Sequence, residues 1–268
     1  MQAAFVWLDL ASPHEDGDQK MRLFCCTLVF VLSMCGIGNA SPRQQYSVPT
    51  SDGQVLIESF GDCNKPACPG VMILSGSRGF ESAAYDEIGR VLKAGGLNAY
   101  LVHVLSPADL SAIVNAGSAS SRMAYYHQRL PKWIASVHRV AAFLTDQPRH
   151  GGQVGIIGVS LGAQIASAAS VESSKIDALV LVDGGLPSGY SQPIRSLPPL
   201  HLIWGSADRT FPLSIGRDLE RKAKQLGVPA TLNVYQGEPH DFFLKSGNGN
   251  AVVALRSAAD FLAMYLSR

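Results

Sequence analysis

The 268-residue sequence has almost no net charge, because 22 lysines and arginines stand against 21 aspartates and glutamates. Without an excess of positive charge, neither nucleic acid nor an anionic membrane surface is an expected partner. The sequence also lacks a dinucleotide-binding fingerprint, a phosphate-binding loop and internal repeats. Four histidines show no metal-ligand spacing, and we expect surface or structural roles for them: His103, His127, His138 and His150. We therefore expect no cofactor and no metal, and a small molecule as the partner.

One apolar run, Leu23–Ile37, lies near the start of the chain and is preceded by Met21-Arg22. It is short for a membrane span and ends in small residues, which predicts a secretory signal peptide over residues 21–40, cleaved after Ala40. A membrane anchor is the alternative. Residues 1–20 carry acidic side chains where a signal should be basic, so we expect a mis-assigned or disordered extension and a true start at Met21. The mature chain, 41–268, is then exported, to the periplasm or the medium, with no stable membrane span.

Cysteine is scarce, and three of the five cysteines fall within the predicted signal, where Cys35 leaves lipidation open as an alternative. Cys63 and Cys68 remain, separated by a turn-rich segment. In an exported protein we expect these two thiols to form a disulfide. A loop this small stabilises a fold by less than the roughly 3 kcal/mol of a fifteen-residue loop. The alternative, a metal-binding cysteine pair, has no two further ligands nearby.

Apolar strand patterns alternate with helical patterns along the predicted mature chain. This alternation predicts an α/β fold with a mostly parallel central sheet and helices on both faces. We expect a surface loop over Pro107–Ser121, and the segment before Leu200 is too short for a large lid domain. The opening hairpin covers Gln45–Phe60; the predicted strands are Val71–Leu74, Leu97–Val104, the run before Ser160, Ala178–Val182, Leu200–Trp204 and Ala230–Tyr235. The predicted helices are Ala83–Ala94, Tyr125–Leu144 (interrupted or started near Pro131), Leu213–Leu226 and Val252–Leu266.

The stretch Val154–Ala163 contains the pattern Gly-x-Ser-x-Gly between a β-branched run and an alanine-rich helical segment. A strand, sharp turn and helix in this order form a nucleophile elbow with Ser160 at its tip. Gly158 and Gly162 remove side chains that would collide in the turn, and the helix aims its free N–H groups at the same point. The alternative is a buried strand that runs into a glycine-rich turn by chance.

A nucleophilic serine needs a general base, which is in turn oriented by an acid. Two histidines follow Ser160: His201 lies inside an apolar strand, whereas His240 lies in a turn before the last helix. We therefore expect His240 to be the base and His201 to be a core residue. For the acid we favour Asp208, which follows a predicted strand, with Asp183 as the alternative because it also ends a strand.

An oxyanion hole requires two backbone N–H donors. One is expected from Leu161, directly after the serine. The second is expected from the loop that follows the Val71–Leu74 strand, with Ser77 as the candidate residue. Arg78 in the same loop is either a contact for an anionic substrate or a solvated surface charge.

Four motifs, in this order along the chain, resemble the α/β-hydrolase superfamily and, within it, the dienelactone hydrolase-like branch. They are Ile73-Leu74-Ser75-Gly76-Ser77-Arg78-Gly79, Gly158-Val159-Ser160-Leu161-Gly162, Trp204-Gly205-Ser206-Ala207-Asp208 and Glu238-Pro239-His240-Asp241-Phe242. The resemblance implies esterase or lactonase chemistry without a metal. Three residues depart from the branch: Ser160 replaces a cysteine nucleophile, Ser75 a histidine, and Asp241 a glycine.

Together these residues predict a serine hydrolase that cleaves small esters or lactones through an acyl-enzyme. Thioester and peptide substrates remain alternatives, because the fold serves all of them. The alternative from another class is a hydrolase-like binding protein that has lost turnover.

Overall fold

The structure is a computed structural model that describes residues 43–63, 65, 67–147 and 150–267. The predicted extension (1–20) and signal peptide (21–40) lie outside the described residues. Among the helices of the described part, none is both long enough and apolar enough to cross a membrane.

The described strands form one eight-stranded sheet in the order β1-β2-β4-β3-β5-β6-β7-β8. Their bounds are β1 Gln44–Thr50, β2 Gly53–Ser59, β3 Cys68–Leu74, β4 Asn98–Val102, β5 His150–Val159, β6 Ala178–Val182, β7 Leu200–Gly205 and β8 Ala230–Tyr235. Strands β1 and β2 form the predicted hairpin, and β2 is antiparallel to β4. All other neighbours are parallel, so the carboxyl ends of β3 and β5–β8 meet at one edge.

Helices cover both faces of this sheet, as the alternating pattern predicted. Their bounds are α1 Ala84–Ala94, α2 Pro107–Val114, α3 Ala119–Thr145, α4 Leu161–Ser170, α5 Leu213–Gln225 and α6 Gly249–Leu266, with a short 3-10 turn at Phe242–Leu244. The apolar sides of α3, α4 and α5 pack on one face, and those of α1 and α6 pack on the other. Because β3–β7 are buried on both faces, they read as nearly continuous apolar runs. The described segment 184–199, between β6 and β7, contains neither helix nor strand, so no large lid is inserted there.

The prediction of a surface loop over Pro107–Ser121 is wrong, because α2 and the start of α3 occupy that segment. Ser106 begins α2 with a capping box: its Oγ accepts the Asp109 N–H (3.1 Å), and Asp109 Oδ2 accepts the Ser106 N–H (2.9 Å). Pro107 follows at the first helical position, where its missing N–H costs nothing. The small and polar composition concealed this helix start.

Asp109 also fastens α2 to α3. Its carboxylate is buried and accepts hydrogen bonds from Arg129 Nε (2.6 Å), the Tyr125 hydroxyl (2.7 Å) and Trp133 Nε1 (3.3 Å). Burial raises the pKa of Asp109, but the bonds from Arg129, Tyr125 and Ser106 outweigh it and leave the pKa at about 2. The group is therefore a structural anion.

Helix α3 runs unbroken through Pro131, where the sequence predicted an interruption or a start. A proline inside a helix removes one backbone bond and costs about 3 kcal/mol. Trp133, Val137 and Leu144 are fully buried on the inward side of the same helix. This packing offsets the loss of the backbone hydrogen bond at Pro131. The helical propensity of the segment alone does not reveal that compensation.

Cys63 and Cys68 are joined by a disulfide, with Cα atoms 6.3 Å apart. The bond attaches the chain before β3 to the first residue of that strand. Cys68 is fully buried. In this structure the two sulfur atoms are therefore not metal ligands.

Candidate active site

Ser160 is the single residue between β5 and α4, and its φ angle is +55°. A positive φ is rare for a residue with a side chain and marks a sharp, strained turn. A Cβ on Gly158 would lie 2.5 Å from Gly162 O, and one on Gly162 would lie 2.4 Å from Leu74 O. Neither position accepts a side chain without movement of the backbone. The spacing of the two glycines is thus a steric requirement of the turn.

A chain of hydrogen bonds joins Ser160, His240 and Asp208. Ser160 Oγ lies 2.9 Å from His240 Nε2, and His240 Nδ1 lies 2.8 Å from Asp208 Oδ2. These residues follow β5, β8 and β7 respectively, and they meet at the carboxyl edge of the sheet. A base within hydrogen-bond reach of the hydroxyl, itself oriented by a carboxylate, is the geometry that activates a serine.

The carboxylate of Asp208 is held by its own loop. Asp208 Oδ1 accepts the N–H groups of Thr210 (2.7 Å) and Phe211 (2.9 Å), which leaves Oδ2 for His240. The side chain is fully buried, whereas that of His240 keeps 22% of its surface exposed. The ring of Phe211 also contacts the imidazole, with centroids 5.4 Å apart. The acid is therefore fixed in one orientation, as a positioning acid must be.

Asp183, the alternative acid, makes no hydrogen bond to His240. It directly follows β6, and its Oδ1 accepts a hydrogen bond from the Gly205 N–H (2.9 Å). His201 is likewise engaged elsewhere: its ring nitrogens bond to Thr231 Oγ1 (2.7 Å) and Ser257 Oγ (3.0 Å). Burial lowers the pKa of His201 to about 4, so it is a neutral core histidine.

The loop after β3 lies opposite Ser160, and two tyrosines lie against it. The Gly76 N–H donates to the Tyr85 hydroxyl (3.0 Å). The Tyr126 hydroxyl lies close enough to the Ser77 side chain for Ser77 to lower the pKa of Tyr126, although burial raises it overall. A Cβ on Gly76 would lie 3.5 Å from Ser160 Cβ, which shows how closely this loop approaches the serine. The Gly76 N–H is thus engaged, whereas the Ser77 N–H has no acceptor among the described residues.

Sequence reasoning missed both tyrosines. Tyr85 lies in α1 and is 2% exposed, and burial raises its pKa to about 12. Tyr126 lies in α3, a different element on the other face of the sheet. The helical stripe that places Tyr85 in the core could have drawn attention to it. No sequence signal links Tyr126 to a residue in the β3–α1 loop.

A cavity of about 410 Å³ opens beside Ser160 and His240. The β3–α1 loop, Tyr85 and Leu244 form its walls. Four charged residues of both signs also line it: Arg78, Glu81, Asp241 and Lys245. Lys245 Nζ lies 3.6 Å from Asp241 Oδ1, whereas exposed Arg78 has no ion pair among the described residues. The volume fits a small molecule.

One group of potential metal ligands occurs in the described part of the chain. Ligand atoms of Asp183, Asp208 and His240 lie within 4.8 Å of one another. However, His240 Nδ1 and Asp208 Oδ2 already bond to each other. A metal here would have to break the hydrogen-bond chain that reaches Ser160.

Three of the four remaining histidines make structural contacts. Nε2 of His103 bonds to Glu58 (2.7 Å), that of His127 to Ser188 O (3.0 Å), and that of His138 to Ala169 O (2.6 Å). The side chain of His150 lies outside the described residues. These contacts agree with the surface or structural roles expected from the sequence.

A mostly parallel sheet with a strained serine after β5, an acid after β7 and a histidine after β8 defines the α/β-hydrolase class. Within that class, the chain belongs to the dienelactone hydrolase family, whose family model matches residues 60–265. A search of the curated proteins gave no significant match.

Solved structures show the same fold. A dienelactone hydrolase from Anabaena variabilis is 21% identical with a TM-score of 0.64, over 84% of this chain and 99% of that one. A dienelactone hydrolase-like promiscuous phosphotriesterase from metagenomic libraries is 18% identical with a TM-score of 0.67, over 84% and 99%. An esterase from the archaeon Pyrobaculum calidifontis is 14% identical with a TM-score of 0.64, over 84% and 83%. At these identities the likeness is one of fold.

Proposed function

We propose that the protein is a serine hydrolase that cleaves carboxylic esters or lactones of small molecules through an acyl-enzyme. The observation that carries the proposal is the hydrogen-bond chain from Ser160 Oγ to His240 (2.9 Å) and on to Asp208 (2.8 Å), which opens into the 410 Å³ cavity. Membership of the dienelactone hydrolase family supports hydrolysis as the reaction class.

In the first half-reaction, Ser160 Oγ attacks the carbonyl carbon while His240 Nε2 takes its proton. The charge that develops on the carbonyl oxygen is stabilised by the N–H groups of Leu161 and Ser77. The imidazolium of His240, supported by Asp208, then gives its proton to the leaving alkoxide, and the C–O bond of the ester breaks. Water, activated by His240, hydrolyses the acyl-enzyme by the reverse sequence of proton transfers.

Two features support Leu161 and Ser77 as the oxyanion donors. Leu161 is the first residue of α4, and the N–H groups at a helix start have no partner within the helix. The Ser77 N–H comes from a loop that packs against the serine. Removal of one such donor typically raises the barrier by about 2.7–4 kcal/mol.

The proposal includes export, with the signal at residues 21–40 cleaved after Ala40. The disulfide between Cys63 and Cys68 supports this, because such bonds persist in oxidising compartments. Expression of the full chain in a bacterial host, followed by N-terminal sequencing of the exported form, tests it. A mature N-terminus at Ser41 is expected; an intact chain retained in the cytoplasm would contradict it.

A fluorophosphonate probe with mass mapping of the labelled peptide tests the chemistry, beside a series of p-nitrophenyl esters. Labelling at Ser160 and ester turnover are expected, and both should be lost in Ser160→Ala. A phosphotriester belongs in the panel, because one structural relative is described as a phosphotriesterase. A folded protein that neither reacts with the probe nor hydrolyses any substrate would instead be a hydrolase-like binding protein.

A further inference from the structure

Asp183 lies beside the Ser160–His240–Asp208 chain but takes no part in it. It is fully buried, has a φ angle of +46°, and directly follows β6. Its Oδ1 accepts the Gly205 N–H, while Oδ2 is buried and has no hydrogen-bond partner among the described residues. An ionised carboxylate in such a place lacks both water and a full set of donors, which is costly. A neutral carboxyl group suits this environment better.

Gly205 connects Asp183 to both loops of the site. The Gly205 carbonyl accepts the Asp208 N–H (3.2 Å) at the start of the acid loop. A Cβ on Gly205 would lie 2.4 Å from Glu238 O, so this glycine packs directly against the loop that carries His240. The carboxyl of Asp183, through one hydrogen bond, therefore holds the residue on which both loops rest.

We propose that Asp183 is a positioning residue of this site. Its neutral carboxyl group fastens Gly205, and thereby the Asp208 and His240 loops, while Asp208 remains the one carboxylate bonded to the imidazole. The effect on catalysis rests on the proposed function, whereas the charge state of Asp183 does not.

The surroundings of Asp183 favour the neutral form. Burial is the main cause that raises its pKa to about 8; the Gly205 N–H opposes this, and Asp208, Asp241 and Glu238 add to it. His240 is the remaining titratable neighbour, with a ring nitrogen within 4.8 Å. Ionisation above about pH 8 would place a second negative charge beside Asp208, where like charges repel.

Two substitutions separate the hydrogen bond from the charge. Asp183→Asn keeps an oxygen acceptor for Gly205, is permanently neutral and tolerates a positive φ, whereas Asp183→Ala leaves the Gly205 N–H without a partner. The matched control is Asp177→Asn. Asp177 lies at the opposite end of β6, and its Oδ2 also accepts a backbone N–H, that of Val154 (2.8 Å).

The kinetic expectation is specific to position 183. At pH 7, Asp183→Asn should keep kcat within about threefold of wild type, and Asp183→Ala should lower kcat about tenfold or more with little change in KM. Wild-type kcat should fall above about pH 8, and that of Asp183→Asn should not. Asp177→Asn should retain the wild-type pH profile. Equal losses in the two position-183 variants, or the same alkaline limb in Asp183→Asn, would overturn the proposal.

Thermal unfolding gives a readout that needs no activity. Between about pH 4 and 8 the unfolded state ionises Asp183 and the folded state does not, so wild-type stability falls with rising pH relative to Asp183→Asn. The Tm advantage of Asp183→Asn should therefore grow from pH 5 to pH 8, and Asp177→Asn should show no such growth. A constant Tm difference would refute the neutral carboxyl. A growing difference in a protein without Ser160 labelling would support it while refuting the proposed function.

Discussion

The hydrogen bond between the Gly76 N–H and the Tyr85 hydroxyl gives the most direct test of the oxyanion role proposed for the β3–α1 loop. Tyr85→Phe removes the hydroxyl and keeps the buried ring, which packs edge-on against Phe80 with centroids 4.9 Å apart. The Gly76 N–H then has no partner and is free to turn toward another acceptor. Rotation of that peptide would move the Ser77 N–H away from the carbonyl oxygen of the substrate.

Two reference values bound the loss of kcat that we expect in Tyr85→Phe. Loss of one ordinary hydrogen bond is worth about 1 kcal/mol, or about fivefold in rate. Complete loss of an oxyanion donor costs about 100- to 1000-fold. Because Tyr85 acts on the Ser77 N–H only through the neighbouring Gly76, and Tyr126 still lies beside Ser77, we expect kcat to fall about 5- to 50-fold. KM should change little, since the donor acts mainly in the transition state.

The assay is steady-state hydrolysis of the best p-nitrophenyl ester, with inhibition by a boronic acid as a measure of oxyanion binding. Tyr125→Phe is the matched control, because it removes a half-buried tyrosine hydrogen bond to Asp109 and leaves the cavity wall intact. Tyr125→Phe should lose stability and keep wild-type kcat. Wild-type kcat in Tyr85→Phe, or an equal loss in both variants, would show that Tyr85 does not position the loop.

Three further predictions concern the framework of the site. Asp109 has a folded pKa of about 2, so about 2 kcal/mol of stability present above pH 4 should be lost as the pH falls toward 2. In Asp109→Asn the free energy of unfolding should depend less on pH over this range. Equal acid sensitivity of the variant and the wild type would contradict this. Gly162→Ala should lower the free energy of unfolding by about 1–3 kcal/mol and abolish probe labelling, whereas Gly249→Ala, which meets open space, should do neither. Loss of the Cys63–Cys68 disulfide in Cys68→Ser should lower the free energy of unfolding, measured by chemical denaturation, by less than about 3 kcal/mol. Ester turnover should be retained. Loss of turnover in folded protein would argue against a purely structural bond.

The comparison of Asp183 with Asp208 shows the limit of sequence reasoning about the acid. Both residues follow a strand, so the pattern favoured Asp208 but kept Asp183 as the alternative. In the structure, the two N–H groups of Thr210 and Phe211 turn the Asp208 carboxylate toward His240. The single bond to Gly205 turns that of Asp183 away. Hydrogen bonds within each loop, which have no simple sequence pattern, decided the orientation.

The segment over Pro107–Ser121 shows a different kind of limit. Its composition suggested a surface loop, although Ser106, Pro107 and Asp109 form a helix start that is readable from the sequence. Hydrogen bonds from Arg129 and Trp133 compensate for the burial of the Asp109 carboxylate, and both of these residues lie in the next helix. Local composition therefore misled where a long-range ion pair stabilised the helix.

By itself the sequence determined the α/β fold, the elbow at Ser160 and the candidacy of His240. Hydrophobic periodicity and the steric need for glycine at 158 and 162 are local properties of the chain. Only the tertiary structure decided that Asp208 faces the imidazole, that the Tyr85 hydroxyl holds the β3–α1 loop, and that Asp183 Oδ2 is buried without a hydrogen-bond partner among the described residues. These facts depend on which strand ends become neighbours in the sheet, because hydrogen bonding and desolvation are set by contacts between residues far apart in sequence.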